Sequence, residues 1–97
     1  MDGKLGFLTE LNQIIDQRLA SGNDSSYVKR LLNEPIDRVL KKVGEEAGEV
    51  IIAAKNNDKN ELLNESADLL FHLMLVLKKQ GATIDEVIAV LESRHAA

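Results

Sequence analysis

Leu69-Leu70-Phe71-His72-Leu73-Met74-Leu75-Val76-Leu77 is the stretch on which the fold turns. At roughly 100° of turn per residue, its apolar side chains cover nearly the whole circumference of a helix, interrupted only by His72. A helix apolar all round is expected to be buried all round. A chain of 97 residues has few helices with which to surround one. A homo-oligomer that completes the sandwich is therefore expected, a homodimer being the simplest case. The alternative is a central helix in a monomeric bundle.

Outward from this stretch, the helix is predicted from about Lys59 to Gln80. Asp58 caps it, with Glu61 at the N3 position, and Gly81 stops it as the C′ residue. The helix before it is expected from about Pro35 to Lys55. Pro35 suits its first turn, and Ile36, Val39, Leu40, Val43, Ala47, Val50, Ile51 and Ala54 make one apolar stripe. Asn56-Asn57-Asp58 ends that helix and joins the two. Thr83-Ile84-Asp85-Glu86 reads as a capping box opening the last helix, striped by Ile84, Val87, Ile88 and Leu91. Leu8, Leu11, Ile15 and Leu19 share one face of a first helix. Ser25 or Ser26 caps a short one through Tyr27, Val28, Leu31 and Leu32. Six Gly and one Pro are sparse punctuation. The expected fold is all-α: a single domain over residues 1–97, a bundle of four to five helices completed by homodimerisation.

Composition excludes several functions. The absence of Cys removes disulfides, thiolate metal sites and thiol nucleophiles. Aromatic residues are only 3% and the net charge is −4, so neither base stacking nor phosphate attraction favours nucleic-acid binding. The start of the chain lacks the apolar stretch of a signal peptide, and no run approaches a membrane span. A cytoplasmic protein with no membrane partner is expected. The charge is unevenly placed: Glu45 to Asp68 holds seven acids against Lys55 and Lys59.

Within that window, Arg38, Lys42, Glu45, Glu46, Glu49, Ala53 and Asn56 fall on one stripe of the helix from Pro35, beside or opposite its apolar stripe. Glu65, Asp68 and His72 form a stripe on the next helix. A short loop makes the two helices antiparallel, so the carboxylates of both stripes can converge. Glu45, Glu46 and Glu49 also read as a solvated face with Lys41–Glu45 and Lys42–Glu46 pairs. Glu65 and Asp68 lie on a helix expected to be buried, where uncompensated carboxylates are expensive. A divalent cation is the simplest compensation, and an oxygen set with one His suits Mg²⁺ or Mn²⁺ rather than Zn²⁺. Arg38 and Lys42 continue the stripe as phosphate partners. His72, alone in an apolar run, reads first as packed and hydrogen-bonded. Tyr27 reads equally as packing or as ligand contact.

Glu46-x-x-Glu49, fifteen intervening residues, then Glu65-x-x-Asp68 resembles the ExxE…ExxD motif of the all-α nucleotide pyrophosphatases of the MazG-like superfamily. Lys41-Lys42-Val43-Gly44-Glu45-Glu46-Ala47-Gly48-Glu49-Val50, followed by Ile52-Ala53-Ala54-Lys55-Asn56, is similar to the phosphoribosyl-ATP pyrophosphatase family of histidine biosynthesis. Ser26-Tyr27, Lys29-Arg30-Leu31-Leu32 and the block from Glu65 to Leu73 carry the same resemblance, which runs from about Leu5 to Arg94. It implies hydrolysis of the α–β phosphate bond of phosphoribosyl-ATP, giving phosphoribosyl-AMP and pyrophosphate, with Mg²⁺ and usually in a dimer. By motif match it implies that Glu46, Glu49, Glu65 and Asp68 hold metal and that Glu45 or Glu46 orients the attacking water. Lys55 and Asn56 would join Arg38 and Lys42 in binding substrate. Gly48 departs from the larger residue expected between the glutamates, but removes no ligand. Some relatives carry a fused phosphoribosyl-AMP cyclohydrolase, for which this chain lacks the length and the Cys. Two rivals stand: a house-cleaning nucleoside triphosphate pyrophosphatase, and a non-catalytic helical dimerisation module.

Overall fold

Capping chemistry sets where each helix begins. In the computed structural model, which describes residues 3–21 and 26–96, the order is α1 (Phe7–Ala20), α2 (Tyr27–Asn33), α3 (Ile36–Lys55), α4 (Lys59–Lys79) and α5 (Ile84–His95). Ser26 opens α2 by accepting the Lys29 N–H; Ser25, the other expected cap, lies outside the described residues. Pro35 stands at the N-cap of α3, one position earlier than the first helical turn. Asp58 Oδ1 accepts the Glu61 N–H at 3.1 Å, and Thr83 and Glu86 form the expected reciprocal box. The described residues contain no strand.

Two helix ends share one geometry. At the end of α4, Gly81 has φ +73°, and the Gly81 and Ala82 N–H groups donate to the carbonyls of Lys78 and Leu77. At the end of α3, Asn57 has φ +57°, with the Asn57 and Asp58 N–H groups on Ala54 and Ala53. Both are Schellman ends, in which one left-handed residue turns two amides back onto orphan carbonyls. Asn tolerates that conformation better than most side chains, so it replaces glycine at the hairpin turn. The turn sends α4 back antiparallel along α3.

The core gathers at the far end of this hairpin. Ile15, Val28, Leu31, Val39, Met74, Leu75 and Ile84 form one buried cluster, drawn from all five helices. Lys79 Nζ donates to the carbonyls of Leu32 and Glu34 at 2.7 Å, tying the end of α2 to α4. Lys78 pairs with Asp16 of α1. Toward the turn the hairpin leaves this core: between Gly44 and Ala67 only Ala53 and Glu65 are buried. The radius of gyration is 14.8 Å, against about 12.5 Å for a compact domain of this length. None of the described helices is long and apolar enough to cross a membrane.

The single chain leaves two apolar surfaces open. Within one chain α4 is not buried all round: Glu65, His72, Met74 and Leu75 are buried, while Leu73 and Leu63 are exposed. The reason is the shortage of helices: besides α3, α2 packs on α4, and α1 and α5 reach it only at the core cluster, in its C-terminal half. On α3, the line facing α4 runs through Val39, Glu46 and Ala53, seven residues apart and so within about 20° of one another. The apolar stripe is turned to one side, leaving Leu40 44% and Ile51 68% exposed.

Candidate functional site

Antiparallel pairing about Asn57 matches residues equally distant from the turn. Glu49 and Glu65 each lie eight positions from it. Their carboxyls meet in a hydrogen bond, which requires one of them to carry a proton. Glu65 is 9% exposed and its Oε2 has no hydrogen-bond partner. The bond to Glu49, burial, and the negative charges of Glu49, Glu61 and Asp68 together raise its pKa from 4.5 to about 7. Glu49, Ile52, Ala53, Asn56, Asp58, Glu61 and Glu65 line a cavity of about 210 Å³ beside the turn.

The remaining candidates divide. Glu46 is largely enclosed, and its Oε1 accepts from His72 Nδ1 at 2.6 Å. Asp68 is exposed, contrary to the burial expected of it. It is three residues past Glu65, off the line facing α3, on the flank where no helix covers α4. Glu45 and Lys42 are exposed on the same edge of the hairpin as Glu49. Asn56 caps α3 and lines the cavity. Arg38 is about two turns further from the loop than Glu45, paired with Glu34 at 3.2 Å. Lys55 sits on the side of α3 turned away from α4, exposed in the last turn. Gly48 lies on that outer side too, with nothing within 4 Å of where a Cβ would stand.

Sequence reasoning passed over Glu61 as a capping residue and Asp58 as a cap, yet both line the cavity. The signal was available: Glu61, Glu65 and Asp68 follow at four- and three-residue spacing on one helix face. His72 is packed and hydrogen-bonded, as a lone histidine in an apolar run should be.

Chemically, the cluster concentrates acceptor oxygens with no base among them. Among the described residues, no three acidic or histidine side chains form a ready-made metal cage. The donor set nevertheless fits a hard cation, because an ionised Glu65 has neither a basic partner nor a hydrogen bond for Oε2. Protonation answers the same need in the metal-free chain, which gives a stability prediction. Folded Glu65 keeps its proton to about pH 7, whereas the unfolded chain releases it near 4.5. The stability contributed by this retained proton is present in full near pH 4.5 and is lost as the pH rises through about 7. The melting temperature without metal should fall across that window and the fall should flatten in Glu65→Gln. A wild-type and variant with parallel pH profiles would count against the shared proton.

Residues 8–95 match a family model described as phosphoribosyl-ATP pyrophosphohydrolase. The chain is similar to the phosphoribosyl-ATP pyrophosphatase of Streptococcus gordonii, 48% identical over 88 residues, which cover 91% of this chain and 85% of that protein. It is 43% identical to the phosphoribosyl-ATP pyrophosphatase of Leptospira biflexa over 93% of this chain and 98% of that protein. The histidine biosynthesis bifunctional protein HisIE of Bacillus subtilis is 47% identical over 96% of this chain, but over only 44% of its own length. The chain spans less than half the length of that relative and of the similar bifunctional proteins of Halalkalibacterium halodurans and Lactococcus lactis.

Proposed function

Because the chain belongs to the phosphoribosyl-ATP pyrophosphohydrolase family, we propose that it cleaves the bond between the α and β phosphates of phosphoribosyl-ATP. The products are phosphoribosyl-AMP and pyrophosphate. One observation carries the reading: Glu65 is pressed against Glu49, with Oε2 buried and partnerless and no base beside it. A carboxylate so placed is stable when ionised only if a cation joins it. All-oxygen donors without Cys favour Mg²⁺, with Mn²⁺ as the alternative. Glu49, Glu65 and Asp68 would hold the cation, with Glu46 beside them. When bound, it polarises phosphoryl oxygens and lowers the pKa of a water.

The chain's own residues supply the rest. Glu46, one oxygen fixed by His72, is better held to orient the attacking water than the exposed Glu45. Lys42 and Asn56, on the Glu49 edge of α3, would meet the phosphates, and Arg38 extends that edge away from the turn. Lys55 faces away from it and contributes only if the substrate wraps the end of α3. Apolar wall residues at the cavity, Ile52 and Ala53, would exclude water from one side.

The working species on this reading is a homodimer. The two edges of the α3–α4 hairpin differ: one carries Glu45, Glu49 and Asp68, the other Leu40, Ile51 and Leu73. A two-helix arm with an open apolar edge is marginal in water by itself. The accessible surface is 6871 Å², whereas a compact monomer of this mass would show about 5,500 Å². The excess exceeds the roughly 800 Å² per partner that a standard interface covers.

The test is pyrophosphate release with and without Mg²⁺ from phosphoribosyl-ATP and a panel of common nucleoside triphosphates. Release is expected to require Mg²⁺ and to favour phosphoribosyl-ATP over every triphosphate. Comparable rates across the panel would make this a house-cleaning pyrophosphatase; no release at all would leave a helical dimerisation module. Millimolar Mg²⁺ should also raise the melting temperature, since a ligand bound only by the folded state stabilises it. Glu49→Gln should abolish the rise, and an unchanged response would remove Glu49 from the site.

A further inference from the structure

Glu46 is joined to a chain of hydrogen bonds centred on His72, with Tyr27 at its far end. His72 is 6% exposed, and its Nδ1 lies 2.6 Å from Glu46 Oε1 and 2.9 Å from the carbonyl oxygen of Asp68. A carbonyl only accepts, so Nδ1 carries the proton and is shared between the two oxygens. In the neutral ring Nε2 is then an acceptor, and the group against it is the Tyr27 hydroxyl at 2.7 Å. Tyr27 O–H donates to Nε2. The ring is also held edge-on between Tyr27 and Phe71, with centroids 5.8 Å and 5.4 Å away. Three helices meet here: Tyr27 begins α2, Glu46 lies in mid-α3 and His72 in mid-α4.

We propose that His72, locked by Tyr27, is a positioning residue that holds the Glu46 carboxylate in one orientation for the carboxylate cluster. The proposal rests on the pyrophosphohydrolase reading for what Glu46 does, though not for how it is held. With Oε1 fixed, Glu46 presents Oε2 as its oxygen for a cation or a water. A glutamate otherwise has three torsions to order, so a clamp removes that entropy before the substrate arrives. The two oxygens at Nδ1 set the tautomer, and the Tyr27 hydroxyl completes it by donating to Nε2, which would otherwise lack a donor from the protein. The chain also explains a histidine in the middle of an apolar run, where a leucine would pack at lower cost.

Two variants separate positioning from packing. His72→Asn places an amide N–H near the Nδ1 position and keeps a donor for Glu46; His72→Leu fills the space and supplies none. Calorimetric titration with Mg²⁺ alone is expected to show about a 10- to 100-fold weaker affinity in His72→Leu, with most of it recovered in His72→Asn. With phosphoribosyl-ATP the same pair should differ in kcat rather than in KM. Should His72→Leu fail to fold, His72→Met, which is flexible and also supplies no donor, takes its place. Equal Mg²⁺ affinity in the donor-bearing and donor-lacking variants overturns the proposal. Nitrogen-15 spectra of the histidine ring, taken without metal or substrate, should show Nδ1 protonated and Nε2 bare in the wild type. Tyr27→Phe should keep Nδ1 protonated and shift the Nε2 resonance as that nitrogen loses its donor, and an unmoved Nε2 resonance would overturn the tyrosine's part. A wild type inactive on phosphoribosyl-ATP whose variants still divide in Mg²⁺ affinity would sink the substrate reading and keep this one.

Discussion

Asp68→Asn is expected to leave the chain folded and to slow turnover of phosphoribosyl-ATP by about a hundredfold or more. Asp68 is exposed, so the exchange disturbs no packing. It keeps the size of the side chain and its capacity to accept a hydrogen bond. What it removes is one negative charge from a group of acids in which Asp68 helps to hold the Glu65 proton. Metal-free stability should therefore hold or rise. An amide is a weaker ligand and neutralises no cation charge, so the loss falls on chemistry alone. A purely acidic surface would show the stability gain with no activity to lose. A folded Asp68→Asn protein working at near wild-type rate would mean that the cation is held by other residues.

The second large effect concerns assembly. Sedimentation at micromolar concentration should show the proposed homodimer in the wild type and a monomer in Ile51→Asp. Ile51 is 68% exposed in one chain, so the substitution costs the isolated fold little. Burying an isoleucine contributes about 1.5–3 kcal/mol. A two-fold interface loses it twice and gains two unpaired carboxylates, which weakens association by a hundredfold or more on the order-of-magnitude scale. Val90→Asp is the control, since Val90 is 49% exposed on α5, away from the hairpin edge. Dissociation by Val90→Asp with Ile51→Asp still dimeric would move the interface to α5. A wild type that sediments as a monomer would remove the dimer altogether.

The two predictions depend on opposite edges of one hairpin, and that juxtaposition follows from the turn at Asn57. A left-handed residue there fixes where α4 starts back along α3. Fixing the turn fixes the pairing of Glu49 with Glu65. The ExxE and ExxD spacings then place the four acids within a few turns of a single point, which is why the motif is legible from its spacing along the chain.

What the sequence determined by itself is the local order: the helices, the caps at Asp58 and Thr83, the stop at Gly81 and the antiparallel hairpin. Each depends on residues within about four positions of one another, where side-chain identity and backbone hydrogen bonding decide the outcome. Membership of the family was legible for a related reason, since its acidic blocks are contiguous. The direction of the α3 stripes was not legible. Periodicity separates an apolar line from a polar one, but does not say which of them meets α4 and which waits for another surface. Packing chose the line of Val39, Glu46 and Ala53, left Leu40 and Ile51 outside, and turned Asp68 toward solvent. The histidine clamp was equally hidden: Tyr27 and His72 are 45 positions apart, and Glu46 and His72 are 26 apart. Only the docking of α2 onto the α3–α4 pair brings their polar atoms within hydrogen-bond reach, because a bond of that length is set by the packing distance between helices and not by any spacing along the chain.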